Sequence, residues 1–386
     1  MSNITEILNR RVTNIIPNKT KLEELLKSGK KLNIYLGIDP TATRIHIGHA
    51  VALRKLQEFV ELGHNVIFLI GDFTALIGDT SDKDTERPVL TYKEIKENFA
   101  SYKKQASKII DFKKVKVVFN STWLSKLKFA DIVKLCQEFS FGEFAGRELI
   151  KKRLQNKKRV GLHEALYPVM QGYDSYHLDA DIQIGGADQT FNMMAGRQLQ
   201  QSLKNKESYV LVTGYLTGTD GRKMSKSWGN AIWLSDTAEE IYGKVMSLPD
   251  GLIVEYFENA TNASESKISE VKKALKSGIN PVEIKKDLAL TLATELRNKR
   301  EAIKAKGSFE KSFQKHLPEF TLEIKLLKTL AETVAPYTSL KSTGDAKRLI
   351  QQGGLTINGD VVADLNYKIK KGDKIKIGKK VFGKLV

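Results

Sequence analysis

Strands that alternate with helices over the first 225 residues predict an α/β fold built on a parallel sheet. Two observations carry this. The apolar run at 32–38 reads as a strand buried on both faces. After a short turn, the segment 47–62 places Ile47, Val51, Leu53, Leu56 and Val60 at loosely helical spacing. Gly63 and His64 stop that helix, and 65–70 reads as the next strand, giving a strand–helix–strand unit of the length that parallel pairing needs. With 386 residues, 41% of them hydrophobic, the chain has material for two or three cores.

Taken in order, residues 1–30 read as a polar, helical lead-in. The helical period returns over 94–110, and 115–119 reads as a strand. Residues 129–154 read as two helices, part of an insertion near 125–160. Its aromatics Phe139, Phe141 and Phe144 suit either an ordinary core or a face between two copies. The basic run at 147–160 suits either a solvated helix or a contact for RNA phosphates. A helix over 162–178 carries Tyr167, Gln171 and Asp174 at spacings of four and three, so all three share a face. A short strand at 181–184, the turn Gly185-Gly186-Ala187-Asp188-Gln189 and a last strand at 208–213 complete the sheet. From 238 to about 306 the chain reads as amphipathic helices, and 307–324 as a linker. The tail is a basic helical stretch followed by short strands turned by Asn358-Gly359. The expected domains are 1–225, 226–320 and 325–386, the last a small α+β unit.

In an open parallel sheet, ligands bind beyond the carboxyl ends of the strands. Three turns open there, after Gly37, Ile70 and Ile184. The first carries Asp39-Pro-Thr41 and then His46-Ile-Gly48-His49 at a helix N-terminus, where unpaired N–H groups favour an anion. The histidines, three apart, lie on one side of the first turn, and Gly48 leaves the backbone open to a flat ligand. A zinc-protease helix needs Glu after the first His and a spacing of four, so this pair is not read as a metal site, and no other metal site is predicted. The second turn reaches Asp79 and a polar loop with Lys83 and Arg87. Far downstream, a glycine-bearing lead runs into Lys223-Met224-Ser225-Lys226-Ser227.

The pair His-Ile-Gly-His and Lys-Met-Ser-Lys-Ser resembles the signature of class I aminoacyl-tRNA synthetases, with both halves present and in order. That implies a Rossmann-like catalytic fold. Over nearly the whole chain the likeness narrows to the tyrosyl-tRNA synthetases, on Tyr35-Leu-Gly37-Ile-Asp39-Pro-Thr41-Ala, Leu76-Ile-Gly-Asp79, Tyr167-Pro-Val-Met-Gln171-Gly-Tyr-Asp174 and Gly185-Gly-Ala-Asp188-Gln189. The tail resembles the S4 RNA-binding module. By position, the resemblance implies that Tyr35 and Asp174 bind the substrate phenol, that Asp79, Tyr167 and Gln171 hold its α-ammonium, and that Gln189 faces its carboxylate. The ATP site would take in Gly37, Asp39, Gly48, Gly186 and Asp188, with Met224, Ser225 and Ser227 from the lysine loop. Thr41 and His46 would serve the transferring phosphate, Asp188 and the Gly37 and Gly186 backbones the ribose with catalytic His49 nearby, and Lys83, Arg87, Lys223 and Lys226 the departing pyrophosphate. Lys347 and Arg348 would meet RNA. Ala187 stands where serine is common in relatives, and Val51 is a second departure.

The activity so implied is that of a tyrosine–tRNA ligase of bacterial or organellar type. It joins L-tyrosine to ATP, which arrives with Mg2+, and passes the tyrosyl group to the 3′ end of tRNA-Tyr. A homodimer is implied, with one tRNA bridging two subunits. A tryptophanyl enzyme shares the fold, but an indole has no use for a phenol clamp. A small-molecule nucleotidyltransferase needs no basic tail, and a binding-only protein needs no His46, Lys223 and Lys226 together. Composition agrees with an RNA partner: the net charge is +18, and residues 340–386 carry eleven lysines or arginines against four aspartates. No apolar run approaches ~18 residues and none follows a basic N-terminus, so a cytoplasmic protein off the membrane is expected. The single cysteine, Cys136, reads as a packing residue.

Overall fold

The computed structural model describes residues 4–79, 90–226, 228–315, 322–338, 341–378 and 381–386. It divides into two compact units, Met1–Gly307 and Ser308–Val386.

The first unit opens with α1 (Ile4–Ile7), β1 (Val12–Ile16) and α2 (Lys19–Lys27), followed by β2 (Asn33–Ile38), α3 (Ile47–Glu61) and β3 (Asn65–Ile70). Then come α4 (Tyr92–Ala106), β4 (Lys116–Phe119), α5 (Ser121–Leu124), α6 (Phe129–Cys136), α7 (Phe141–Gly146), α8 (Glu148–Gln155) and α9 (Leu162–His177). The sheet closes with β5 (Ile182–Gly186), α10 (Thr190–Lys204) and β6 (Tyr209–Thr213). The strand order is β1-β6-β5-β2-β3-β4. β2 lies parallel to β3 on one side, in the register Asn33↔Asn65 to Ile38↔Ile70, and parallel to β5 on the other. The order therefore reverses at β2, and the crevice between the carboxyl ends of β2 and β5 is the switch point where such sheets take ligands.

Three stretches differ from the sequence reading. The lead-in is not all helical, because β1 pairs antiparallel with β6 at the sheet edge. Thr13 and Asn14 face solvent there, so the strand shows no apolar alternation. The insertion holds three helices rather than two, since Arg147 takes an extended backbone between α7 and α8. α4 begins two residues early, because Thr91 and Glu94 form a reciprocal cap.

Charged staples bind the unit. Arg153 and Glu164 form a fully buried pair at 2.7 Å, and Glu164 also accepts from the Gly161 N–H. Arg10 donates to the carbonyls of Phe257, Glu258, Thr261 and Ala263, which closes the end of the helix Ile253–Ala260. Lys55, with no exposed side-chain surface, pairs with Glu58 at 2.6 Å. Cys136 is half-buried beside the Leu135, Val169 and Leu199 cluster. Beyond β6 the chain is helical: α11 (Ala238–Met246), α12 (Ile253–Ala260), α13 (Glu265–Lys276), α14 (Pro281–Leu296) and α15 (Lys299–Lys315).

In the second unit, α16 (Leu330–Val334) and α17 (Thr343–Gln351) pack on a sheet ordered β7-β11-β10-β8-β9, comprising Leu322–Ile324, Val381–Leu385, Lys374–Ile377, Leu355–Ile357 and Asp360–Val361. Ile324, Val334, Ile350, Leu355, Ile375 and Leu385 form its core. The stretch read as a linker thus supplies the end of α15 and strand β7, which lies parallel to β11. Asn358 and Gly359 both have positive φ, as a tight hairpin turn requires. Among the described residues, no helix is long and apolar enough to cross a membrane.

Candidate active site

At the deep end of the crevice, Asp174 on α9 is 2% exposed. Its Oδ1 accepts from Trp123 Nε1 at 2.7 Å and its Oδ2 from Asn120 Nδ2 at 3.0 Å. Burial lifts its carboxyl to about 8, against the pull of these two donors. Tyr35 on β2 is buried nearby and donates to Gln183 Oε1 at 2.9 Å, while Gln183 donates to the Met193 carbonyl. Burial, and then the Asp174 charge, push the Tyr35 phenol up, so it stays a donor. Asn120, Trp123 and Gln183 were not among the expected site residues. The signal available was positional, since Asn120 and Trp123 occupy the turn beyond β4, a fourth carboxyl-end turn.

Nearer the opening, Tyr167 donates to Asp39 Oδ2 and Thr74 to Asp39 Oδ1, each at 2.8 Å. Gly71 is required here, because a Cβ would collide with both Asp39 and Thr74. Asp79 accepts from Gln189 Nε2 at 2.7 Å, and Gln189 accepts from Asn192 at 3.2 Å. Gln171 lies half-buried on α9 between Tyr167 and Asp174. Thr41 donates its N–H to the Asp39 carbonyl at 2.8 Å. Gly37 is exposed at the end of β2, and Gly186 and Asp188 line the turn after β5.

At the mouth, His46 and His49 flank the start of α3 with ring centroids 3.9 Å apart. Burial first holds both imidazoles below their usual range; the His49 ring and Lys223 lower His46 further, whereas His49, with an exposed edge, reaches about 4, a backbone hydrogen bond to His46 pulling it up and Lys223 pulling it down. Both are neutral at pH 7, with one N–H each to donate. His49 Nδ1 accepts from the His46 N–H at 3.3 Å, which places the His49 proton on Nε2. A side chain at position 48 would press on His46, and Met224 covers Gly48 from the other side.

The turn that carries the first signature is bridged to residues 232–234, the segment that follows the second. The Ile47 N–H donates to the Ile232 carbonyl at 2.9 Å and the Leu234 N–H to the Ile45 carbonyl at 3.0 Å, an antiparallel bridge. Arg44 stacks on the Trp233 ring at 4.6 Å and bonds Ser235 and Asp236 at 3.0 Å each. Lys223 lies 3.8 Å from the Tyr215 ring centroid, exposed like Lys226. Ser225 donates its N–H to Asn230. The expected residues Lys83, Arg87 and Ser227 lie outside the described residues. Among the described residues, no group of three or more His, Cys, Asp or Glu is placed to hold a metal. Lys347 and Arg348 are exposed on α17 of the second unit.

Comparison with known proteins places the chain in a family. Residues 27–314 match the model of class I tRNA synthetases (W and Y), and residues 339–375 match the S4 domain. The chain is 40% identical to a tyrosine–tRNA ligase of Carboxydothermus hydrogenoformans, over 99% of this chain and 97% of that one. It is 38% identical to the Thermotoga maritima tyrosine–tRNA ligase, over 98% and 96%. In fold it is similar to a C-terminally truncated mitochondrial tyrosyl-tRNA synthetase of Aspergillus nidulans, with TM-score 0.69, 21% identity and 81% of this chain and 95% of that one covered. A tyrosyl-tRNA synthetase of Archaeoglobus fulgidus solved with L-tyrosine gives TM-score 0.63 at 24% identity, over 78% and 100%. With three quarters of its length matched by one family model, and with the first signature at the start of α3 bridged to the segment that follows the second, the chain belongs to the class I tRNA synthetases of the tryptophan and tyrosine branch.

Proposed function

We propose that the chain activates L-tyrosine with ATP and transfers the tyrosyl group to the 3′ end of tRNA-Tyr. The observation that carries this is the buried Asp174 carboxyl, held by Asn120 and Trp123 beside Tyr35. A phenol donates one hydrogen bond and accepts another, which suits the Asp174 carboxyl and the Tyr35 hydroxyl. Phenylalanine can make neither bond, so it forfeits the hydrogen bonds that tyrosine gains from these desolvated groups, and no separate editing step is needed to reject it.

In the first step a carboxylate oxygen of tyrosine attacks the α-phosphorus of ATP. The bond from that phosphorus to the bridging oxygen breaks, and pyrophosphate leaves with the electron pair. The protein's part is positioning and electrostatics. His46 and His49 donate to the transferring phosphate as neutral imidazoles at the start of α3. Lys223 and Lys226 neutralise charge on the pyrophosphate as it departs, with Lys83 and Arg87 assigned to the same end. Thr41 serves the phosphate from the turn after β2. Asp79, Tyr167 and Gln171 surround the ammonium, and Gln189 lies towards the carboxylate. The Gly37 and Gly186 backbones and Asp188 take the ribose. Mg2+ enters with ATP and screens its phosphates.

Two further assignments belong to this reading. Exposed Phe141 and Leu162, beside a groove lined by Phe139, Phe144, Pro168 and Phe191, fit a second copy of the chain. Lys347 and Arg348 fit the RNA backbone.

The test is ATP–pyrophosphate exchange with tyrosine, phenylalanine and tryptophan, on wild type and on Asp174→Ala. Exchange with tyrosine alone, lost in the variant, is the expected result. Exchange with tryptophan would move the chain to the sister branch, and no exchange with any amino acid would overturn the catalytic reading.

A further inference from the structure

A single buried amide gathers the loop that carries Lys223 and Lys226. Asn230 is 2% exposed. Its Oδ1 accepts from the Ser225 N–H at 2.9 Å, and its Nδ2 donates to the Lys223 carbonyl at 3.2 Å and to Asp220 Oδ1 at 2.7 Å. Its own carbonyl accepts from the Thr219 N–H at 3.0 Å. One acceptor and two donors are what an amide side chain offers, and each has a partner here. Gly218 leaves the space, because a side chain there would meet the Asn230 amide. Gly221 and Gly229, both at positive φ, turn the chain on either side. Downstream of Asn230, Ile232 and Leu234 are paired to the His46 turn. The amide therefore connects a limb fixed to the first signature with the backbone of the second.

We propose that Asn230 is a positioning residue for adenylate formation, which sets the reach of Lys223 and Lys226 by holding the Lys223 carbonyl and the Ser225 N–H against the limb that carries the His46 bridge. The proposal rests on the activation chemistry given above. Asp220 is the partner that orients the amide: it accepts from Asn230 and, through its other oxygen, from the Arg222 guanidinium. The Asn230 donation is the largest cause lowering the Asp220 carboxyl to about 2.

The test uses the full chain and compares wild type, Asn230→Ala, Asn230→Asp and the double variant Asn230→Asp with Asp220→Asn. Aspartate keeps the acceptor for Ser225 but loses both donors and faces Asp220 as a like charge. The double variant reverses donor and acceptor and restores that pair. Tyrosine-dependent ATP–pyrophosphate exchange gives kcat and KM, and tyrosine affinity without ATP is measured by calorimetry. Loss of two or three partners predicts kcat lower by roughly 10- to 100-fold in both single variants, with tyrosine affinity within about twofold of wild type and at least about threefold recovery in the double variant. The proposal is overturned by single variants that keep kcat within about twofold, by an equal loss of tyrosine affinity, or by a double variant without recovery. Should one single variant not fold, the other carries the comparison. Absence of tyrosine-dependent exchange in wild type would instead overturn the activation chemistry itself.

Discussion

Thr74 donates to Asp39 at 2.8 Å and accepts from Asn120 at 3.1 Å, so one hydroxyl joins the turn after β2 to the residue that holds Asp174. Tyr167 closes the chain on the other Asp39 oxygen. Asp174 and the turn after β2, proposed to meet the phenol and the nucleotide, thus share one hydrogen-bonded network. Thr74→Val keeps the shape and removes the link, leaving Asn120 and Asp39 each short of a partner. We expect a loss of about 1–3 kcal/mol in urea unfolding and about tenfold in exchange kcat/KM for both tyrosine and ATP. A loss confined to one substrate would show that the two ends are not coupled through this hydroxyl.

Trp123→Phe deletes the donor to Asp174 Oδ1 while keeping an aromatic ring against His177. Tyrosine activation should fall about tenfold in kcat/KM, with phenylalanine activation unaltered, because the lost bond orients a group that phenylalanine does not use. Exchange assays with both amino acids measure the ratio. An unchanged ratio would remove Trp123 from the specificity argument.

Glu164→Ala removes the counter-charge of the buried Arg153 guanidinium, which also donates to the Arg159 carbonyl. Breaking a buried pair on one side costs about 3–5 kcal/mol. Thermal and urea unfolding should both show it. The double replacement of Arg153 and Glu164 by Met and Leu should be less harmful than Glu164→Ala alone.

Lys55 gives the chain an alkaline signature. Burial lowers its ammonium to about 8, and the Glu58 charge only partly offsets this. The unfolded chain, with an ordinary lysine, binds more protons between about pH 8 and 10.4, so this group's contribution to stability rises with pH across that window and is lost as pH falls through 8. Comparing unfolding of wild type and Lys55→Met from pH 7.5 to 10.5 should show the wild type gaining on the variant by an amount on the order of 3 kcal/mol. A constant difference would mean that Lys55 titrates normally.

Lys347→Ala with Arg348→Ala should raise the KM for tRNA in the charging reaction and flatten its salt dependence by about one unit of slope per charge removed. Both side chains are exposed, and Arg348 makes only a loose 3.6 Å contact with Asp345. A salt slope equal to wild type would take α17 out of the RNA contact.

The parts legible in the sequence are those in which local pattern and tertiary role coincide. The runs that become β2 and β3 are buried on both faces, and the spacing of Tyr167, Gln171 and Asp174 translates directly into one face of α9. The start of α3 was visible because its histidines and glycine have few other uses in that order. Asn120 and Trp123 were not visible. Their importance lies in bonds to Asp174 across 54 and 51 residues of chain, which no local period records. Strands β1 and β7 were hidden for another reason: an edge strand with polar residues outward, and one of three residues, carry too little alternation to register. Arg44 drew no reading in the sequence, and only the fold shows it seated on Trp233.

The bridge between residues 45–47 and 232–234 bears on how the chain matures during synthesis. Ile45 and Ile47 find their backbone partners only when residues almost 190 positions later have been made and threaded back. A nascent chain that has emerged as far as Lys223 holds every strand of the central sheet, yet the start of α3 still lacks its neighbour. The nucleotide turn is therefore completed late, after the ribosome has released the segment that follows the lysine loop. A fragment ending at residue 225 should fold as a sheet with an open, hydrated mouth, whereas one ending past Asp236 should close it.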